Sequence, residues 1–314
     1  MGKMKICFDN VSWSSASGPN SFAQRLAQQL SLFGHIISDP TDYDVGLVFI
    51  EETGVLQKNK PKVQRLDGIW FKDQHQFNTQ NVGIKKLYQS SNAVVWQSDF
   101  DKQMTTRWWG NPKEGKVIRN GIKIDNEKVQ IRNETILELR SRYEKIFVCS
   151  ANWHRQKRLK ECIEMFKHIR DKMHPYSCLI VMGASPDYVV PDRNIYYTDA
   201  LPHEICLEMY AQADWMIHLA WADHCPNVVC EALSQRCPVI CCETGGTKEL
   251  VGNNGIVLKD SQEYNFELFD YDNPPHIDVT QLTELPNINV RPEDIDIKVV
   301  AAHYVQLLEG VLSK

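Results

Sequence analysis

The sequence predicts an α/β protein with two doubly wound domains, and three observations carry this prediction. In both halves of the chain, short apolar segments typical of buried strands alternate with amphipathic segments typical of helices. This alternation favours parallel sheets that are covered by helices on both faces. A polar and charged stretch at residues 120–142 separates the two patterns, and 314 residues suffice for two ordinary domains.

The elements follow in order along the chain. In the first half, the pattern predicts a helix over 21–33 and strands over 5–8, 45–50, 63–66 and 93–97. In the second half, it predicts helices over 159–173, 203–212 and 228–235 and strands over 146–150, 178–182, 195–197, 215–219, 239–242 and 255–258. A last helical pattern covers 293–312. We therefore expect an N-terminal domain at 1–122 and a C-terminal domain at 123–292, with the helix near 293–314 packing back on the first.

Composition excludes several classes of function. Lys and Arg number 35 against 40 acidic residues, and this net charge of -5 lacks the basic excess of nucleic-acid-binding proteins. No apolar run is long enough for a membrane span, and the chain starts directly with a strand-like segment, so we expect a cytoplasmic protein without an integral membrane segment. The ten cysteines include no C-x-x-C pair and the histidines have no metal-ligand spacing. The sequence therefore predicts free thiols, no metal site and no cofactor.

The most informative segment is HLAWADHCPNVVCEALSQRCPVICCETGGTKE at 218–249. Here a buried strand is followed by a polar turn and a helix, and in open parallel sheets ligands bind at the carboxyl ends of strands. The free N–H groups at the start of such a helix suit a diphosphate. Asp223 and Glu231 flank this turn, and carboxylates accept hydrogen bonds well from vicinal sugar hydroxyls. The segment therefore predicts a ligand site.

WADHCPNVVCEA followed by PVICCETGGTKELV resembles the E-x7-E region of the family 4 glycosyltransferases. Asp223 stands where that family has its first Glu, and Glu231 where it has the second. SANWHRQKRL at 150–159 resembles the family's phosphate-binding Arg/Lys segment, with Lys157 in the place of the lysine. Strict spacing puts Asn152 in the place of the arginine, while Arg155 is the available cation, and the sequence leaves both possibilities open.

The resemblance extends into the first half of the chain. Gly18-Pro19-Asn20 before a helix resembles the family's glycine-rich loop, and VQRLDGIWF at 63–71 resembles the strand whose end carries an Asp-Gly pair, here with Asp67. AVVWQSDF and VIRNGI, which contain Ser98 and Asn120, resemble the last strand of the N-terminal domain and the start of the interdomain linker.

The resemblance implies the GT-B fold, in which two Rossmann-like domains face a central cleft. It also implies a retaining, metal-independent transfer of a hexosyl or pentosyl group from a UDP- or GDP-sugar to a hydroxyl of a glycan or glycoconjugate. Asp67 would orient that hydroxyl, Gly18 would approach the donor phosphate, and Asn120 would bind substrate. On the donor, the expected contacts are Arg155 and Lys157 to the phosphates, Glu231 to the ribose, Thr198, Asp199 and Leu201 to the base, and Asp223, His224, Pro226, Asn227 and Val228 to the sugar.

Three other functions remain open at the level of the sequence. A nucleotide-sugar epimerase can share the architecture, and it would isomerise the donor without an acceptor. A non-catalytic nucleotide-sugar-binding protein is compatible with Asp223 in the place of Glu, and it would bind without transfer or donor hydrolysis. A dinucleotide-dependent dehydrogenase fits least, because no predicted strand is followed by G-x-G-x-x-G.

Overall fold

The computed structural model describes residues 2–15 and 17–314, and the chain divides into two compact units. The first unit runs to Ile124 and also contains Asn265–Phe269 and Glu293–Lys314. The second unit comprises Asp125–Tyr264 and Asp270–Pro292. Within the described residues each unit holds one six-stranded sheet, so the predicted fold class of two doubly wound α/β units is confirmed.

The first unit has a wholly parallel sheet with helices on its faces. Its strands are β1 (Lys5–Asp9), β2 (Ile36–Ser38), β3 (Val45–Phe49), β4 (Lys62–Leu66), β5 (Ala93–Trp96) and β6 (Gly115–Val117). Its helices are α1 (Gly18–Leu32), α2 (Gln74–Gln80), α3 (Val82–Ser90), α4 (Asp99–Trp109) and, from the end of the chain, α10 (Ile297–Leu312). The strand order is β2-β1-β3-β4-β5-β6.

The core of the first unit joins the beginning of the chain to its end. Helix α1 buries Phe22, Leu26 and Leu30, which recur every four residues and therefore share one helix face. Helix α10 begins at the N-cap Asp296, whose carboxylate accepts the Lys298 N–H at 3.0 Å. The apolar face of α10 packs beside α1 on the same sheet.

The second unit repeats the architecture with another parallel sheet. Its strands are β7 (Lys145–Ser150), β8 (Ser177–Met182), β9 (Ile195–Tyr197), β10 (Trp215–His218), β11 (Val239–Cys242) and β12 (Gly255–Leu258). Its helices are α5 (Glu134–Arg142), α6 (Leu159–Lys172), α7 (His203–Gln212), α8 (Asn227–Ser234) and α9 (Thr247–Val251). The strand order is β12-β11-β10-β7-β8-β9, which places β10 and β7 in the centre.

Elements that the sequence did not predict are short or polar. Strands β2 and β6 have three residues each and contain no fully buried residue, unlike the predicted three-residue strand β9, which buries Ile195. The stretch interpreted as a linker contains α5, where Asn133 caps the first turn and only Ile136 and Leu139 are buried. Of the helices in residues 2–15 and 17–314, none is both long and apolar enough to cross a membrane.

Candidate functional site

In the second unit, an irregular turn connects the central strand β10 to helix α8. The chain stays buried from His218 at the end of β10 to Ala222, which has a positive φ of 52°. Asp223 follows, and α8 begins after the N-cap Pro226. Proline has no side-chain acceptor and the first turn of α8 carries no acidic residue, so no side chain caps the positive end of this helix dipole. The turn therefore favours a bound anion.

A glycine turn holds the backbone of Asp223 in place. Gly246 donates its N–H to the Asp223 carbonyl at 2.8 Å, and Ala222 donates to the Thr244 carbonyl at 3.0 Å. A Cβ atom on Gly245 would lie 2.8 Å from the Asp223 carbonyl oxygen, and Gly245 has a φ of +126°. Both the space and the backbone angle require glycine at 245.

The substitution Gly245→Ala is expected to lower the free energy of unfolding by about 2 kcal/mol, because it combines an unfavourable φ with a backbone clash. Gly34→Ala is the matched control: Gly34 also has a positive φ, +91°, but its Cβ would meet no atom within 4 Å. The control should lose only about 1 kcal/mol. Urea unfolding of the two variants measures the difference, and equal losses would contradict the clash.

A short 3-10 turn over Arg155–Lys157 brings Lys157 to Asp223. Gln156 donates from its side chain to the Trp221 carbonyl, and the Trp221 N–H donates to the Gln156 carbonyl, each at 2.9 Å. With these segments joined, Lys157 Nζ lies 2.5 Å from Asp223 Oδ2. The two side chains are 22% and 15% exposed, so their ion pair is shielded but reachable by a ligand.

Two histidines complete the electrostatics around Asp223. Burial alone would raise the pKa of Asp223, but Lys157 and the His218 ring, whose Nε2 lies 3.8 Å from Oδ2, hold that pKa well below its usual range. Burial lowers the pKa of His218 and lowers that of His224 to about 4. At neutral pH the site therefore has an ionised Asp223 beside Lys157 and two neutral imidazoles.

The residue after Lys157 is a buried cation that ties this region together. Arg158 occupies the left-handed region at φ 56° and pairs with Asp260, at 2.8 Å between Nη2 and Oδ1, with both side chains inaccessible to solvent. Arg158 also donates to the carbonyls of Leu219 and Pro275. Asp260 in turn accepts the Thr244 N–H at 3.1 Å. This pair joins the Lys157 turn, the end of β10 and the glycine turn.

Glu231 lies on α8 beyond the anion-favouring turn. Its side chain is 13% exposed, and Oε1 lies 3.7 Å from His203 Nδ1 in the first turn of α7. The loop 198–201 directly precedes α7, and there Thr198 donates its N–H to the Val181 carbonyl at 2.9 Å. Asp199 is exposed and Leu201 is half-buried. The structure thus places Glu231 beside the helix that follows this loop.

Two residues, Asn152 and Arg155, are candidates for the place of the family's phosphate-binding arginine, and both are exposed. Neither the Arg155 nor the Asn152 side chain makes a hydrogen bond or ion pair with another residue that the structure describes. Of the pair Arg155 and Lys157, only Lys157 is brought to Asp223. Across residues 2–15 and 17–314, no group of three His, Cys, Asp or Glu side chains has an arrangement that could hold a metal ion.

In the first unit, a buried arginine joins two of the predicted site residues. Asp67 follows β4 and Asn120 follows β6, so both lie at the carboxyl edge of the sheet. Arg65 is 1% exposed and forms an ion pair with Asp67 through one terminal nitrogen. Its other terminal nitrogen donates to Asn120 Oδ1 at 2.6 Å, and Gln97 donates to Asp67 Oδ1 at 2.7 Å.

The Arg65 guanidinium also stacks on aromatic rings, 4.5 Å from the centroid of Phe22 and 5.0 Å from that of Phe49. Burial raises the pKa of Asp67, and Arg65 opposes that rise. Gly18, another predicted site residue, begins α1 and is exposed. The side chain of Asp67 is 19% exposed, which leaves it able to accept a hydrogen bond from a ligand.

Sequence reasoning missed three functional features. His218 ends the apolar strand β10, and its Nε2 faces Asp223. Arg65 and Arg158 were not predicted as site residues, because most arginines are exposed and a sequence does not reveal which ones are buried. A signal was present for Arg158, since it lies within the predicted phosphate segment at 150–159, whereas its partner Asp260 is far away in sequence.

Two doubly wound parallel sheets in one chain define the GT-B class of fold, and comparison with solved structures agrees. HepE of Anabaena, solved with UDP and glucose, aligns over 98% of this chain and 100% of its own with a TM-score of 0.68 at 15% identity. Sucrose-phosphate synthase of Thermosynechococcus elongatus aligns over 99% and 96% with a TM-score of 0.66 at 14% identity. WaaG, a glycosyltransferase involved in lipopolysaccharide biosynthesis, aligns over 98% of both chains with a TM-score of 0.62 at 13% identity.

A family model described as Glycosyl transferases group 1 matches residues 144–267. The matched segment contains Lys157, Asp223 and Glu231. No curated protein matches the chain by sequence. The likeness to the solved structures establishes the fold, and the segment match points to the region in which Lys157 meets Asp223.

Proposed function

We propose that this chain is a retaining, metal-independent glycosyltransferase of family 4, which moves a hexosyl or pentosyl group from a UDP- or GDP-sugar to a hydroxyl of a glycan or glycoconjugate. The observation that carries the proposal is the Lys157–Asp223 pair at the uncapped start of α8. This place combines an ionised carboxylate, the cation that contacts it from another turn, and a helix N-terminus four residues farther along the chain. The match of residues 144–267 to the glycosyltransferase model covers the same place.

The donor diphosphate binds at the start of α8 in this proposal. Its negative charge is stabilised by the helix dipole and by Lys157, and this stabilises the departing diphosphate without a metal ion. Asp223 accepts hydrogen bonds from sugar hydroxyls, helped by the backbone from His224 to Val228. The hydrogen bond to Asp223 fixes the position of the Lys157 ammonium group. An incoming phosphate therefore meets a cation that is already oriented, and the ammonium group then contacts both the phosphate and Asp223.

The nucleoside lies farther along α8. Glu231 accepts hydrogen bonds from the ribose hydroxyls, since its carboxylate is partly exposed and faces the start of α7. The base is held by the loop of Thr198, Asp199 and Leu201, which directly precedes that helix. HepE of Anabaena was solved with UDP and with UDP-glucose, which supports a uridine nucleotide as the first donor to test.

In the first unit, Asp67 orients the acceptor hydroxyl, with Asn120 held beside it by Arg65. In the transfer, the bond between the sugar C1 and the phosphate oxygen breaks, and the bond from the acceptor oxygen to C1 forms on the same face. The acceptor proton passes to the departing phosphate oxygen. Asp67 therefore acts as an orienting group, and stabilisation of the leaving group dominates catalysis.

A non-catalytic nucleotide-sugar-binding protein is the second candidate. Two observations favour it: Asp223 is engaged by Lys157 and His218, and neither Arg155 nor Asn152 is fixed near that pair by a contact with a described residue. Such a protein would keep the binding site and lack turnover. Slow hydrolysis of the bound donor, or transfer to any hydroxyl acceptor, separates the enzyme from this alternative.

Calorimetric titration with UDP, GDP, ADP and CMP, each with and without EDTA, tests the proposal. We expect one nucleoside diphosphate to bind with the same affinity in both conditions, because Lys157 and α8 supply the positive charge. Lys157→Ala should weaken this binding, whereas Lys172→Ala, at an exposed position on α6, should not. Absence of binding by all four nucleotides, or binding abolished by EDTA, would overturn the proposal as stated.

A further inference from the structure

A cavity lies at one edge of the sheet in the second unit, opposite the edge at which Lys157 meets Asp223. It has a volume of about 460 Å³, and it is lined at the starts of three adjacent strands by Lys145, Trp215 and Pro238. Lys157, Asp223 and the start of α8 lie at the carboxyl ends of the strands. Because β7 has six residues, the two edges are about 20 Å apart. This basic pocket, as we call the cavity, is therefore separate from the proposed donor site.

The basic pocket has more positive than negative charge. Lys128, Lys145 and Arg236 line it together with a single acid, Asp214. Asp214 is already engaged, since Arg140 lies 2.7 Å and Lys145 3.1 Å from its oxygens. Its ionised form is favoured by these contacts, and the pKa of Asp214 is lowered despite its burial. Arg140 and Lys145 therefore neutralise the charge of Asp214, and this leaves the charges of Lys128 and Arg236 uncompensated by it.

The other two cations contact only carbonyl groups among the described residues. Lys128 Nζ donates to the Ala211 carbonyl at 2.9 Å. Arg236 Nη2 donates to the carbonyls of Asp125 and Asn126 at 3.0 and 2.7 Å. Partial burial, with Arg236 nearby, lowers the pKa of Lys128. Two cations without a carboxylate partner at one cavity favour the binding of an anion.

Arg236 carries the most specific signal. Its Nη1 is shielded from solvent and donates to no acceptor in the described chain, and a shielded N–H group without an acceptor is unfavourable. The φ of 55° at Arg236 belongs to the left-handed residue that ends α8, where the Cys237 N–H donates to the Ala232 carbonyl at 3.0 Å. Arg236 as a whole is half-buried and lines the cavity, so a ligand oxygen in the basic pocket can reach its side chain.

The remaining walls are apolar. Trp215, Pro238, Leu285 and Ile288 line the basic pocket beside the cations. The cavity volume is within the range of small-molecule sites, and an apolar wall with a few convergent polar groups is typical of them. We propose that the basic pocket binds a small organic phosphate, with the phosphoryl oxygens on Arg236 and Lys128 and the organic part against Trp215 and Leu285.

Titration of the full chain with phenyl phosphate and with inorganic phosphate tests this proposal, in a Lys157→Ala background that weakens phosphate binding at the donor site. We expect saturable binding of phenyl phosphate, weaker binding of inorganic phosphate, and a loss of affinity with rising salt. Lys128→Gln and Arg236→Gln should each reduce the affinity for phenyl phosphate about tenfold, the effect of one lost charge-assisted contact. Lys172→Gln, which removes an exposed lysine of α6 outside the pocket, is the control.

Lys128→Gln keeps the test decisive if Arg236→Gln unfolds the chain, because Lys128 is exposed over much of its length. Absence of saturable binding of phenyl phosphate would overturn the proposal. Equal affinity in Lys128→Gln and Lys172→Gln would overturn it as well. Inorganic phosphate that binds as tightly as phenyl phosphate would overturn the assignment of the apolar walls to the organic part of the ligand. None of these outcomes depends on glycosyl transfer, so they are distinguishable from a failure of the proposed function.

Discussion

Single-turnover transfer is expected to slow by about 10²–10³-fold when Lys157 is replaced by Ala, the loss typical of one group that stabilises developing charge. Lys157 Nζ is fixed by Asp223 at 2.5 Å and lies beside the uncapped start of α8, so the cation is in place before the diphosphate departs. Rapid-quench measurement of product from a saturating donor gives the rate of the chemical step.

The comparison variant is Asp67→Ala, which should cost less because the leaving phosphate takes the acceptor proton. Lys157 also neutralises Asp223, so the double variant Lys157→Ala/Asp223→Asn separates catalysis from the loss of an ion-pair partner. If the double variant recovered the transfer rate, the slow transfer in Lys157→Ala would result from an Asp223 charge left without its cation, and not from a lost contact to the diphosphate. Comparable rate losses for Lys157→Ala and Asp67→Ala would contradict the assigned ranking.

The second large effect is expected for stability. Arg158→Met should lower the free energy of unfolding by about 3–5 kcal/mol, because it leaves the carboxylate of Asp260 buried without its cation. Both side chains of the pair are inaccessible to solvent, and among the described residues the Thr244 N–H is the remaining donor to the Asp260 side chain. Equilibrium urea unfolding measures the change.

Arg158→Met/Asp260→Leu provides the control for this prediction. Replacing both partners by apolar groups removes the unpaired charge, so we expect the double variant to recover much of the stability that Arg158→Met loses. Arg142→Met removes an arginine whose partner Glu138 is exposed and should change stability by less than about 1 kcal/mol. A double variant as unstable as Arg158→Met would show that the carbonyl contacts of Arg158, and not its charge pairing, dominate.

The fold class could be predicted from the sequence because buried parallel strands are continuous apolar runs. The strand VGLVF at 45–49 is buried along its whole length, and its pattern leaves little ambiguity. Strands β2 and β6 could not be predicted, because they have no pattern of their own. They are strands only because they pair with longer neighbours, β2 with β1 and β6 with β5. Local sequence does not encode such edge pairing.

For the candidate site, the sequence indicated the segments and the structure supplied their partners. Lys157 and Asp223 were both predicted as site residues, but their contact depends on Gln156 bonding to Trp221, which joins segments 65 residues apart. The pairing of Arg158 with Asp260 spans an even longer separation. Contacts of this kind follow from tertiary packing, and a single sequence contains no signal for them.

The position of α10 has a consequence for synthesis on the ribosome. Protein chains emerge from the N-terminus, so α1 is exposed long before Tyr304, which lies 6.1 Å from Phe22 between ring centroids. The part of α1 and of the first sheet that α10 covers therefore stays exposed until α10 has been translated, after the second unit. A nascent chain without α10 therefore leaves the apolar patch that Tyr304 and its neighbours cover open to solvent.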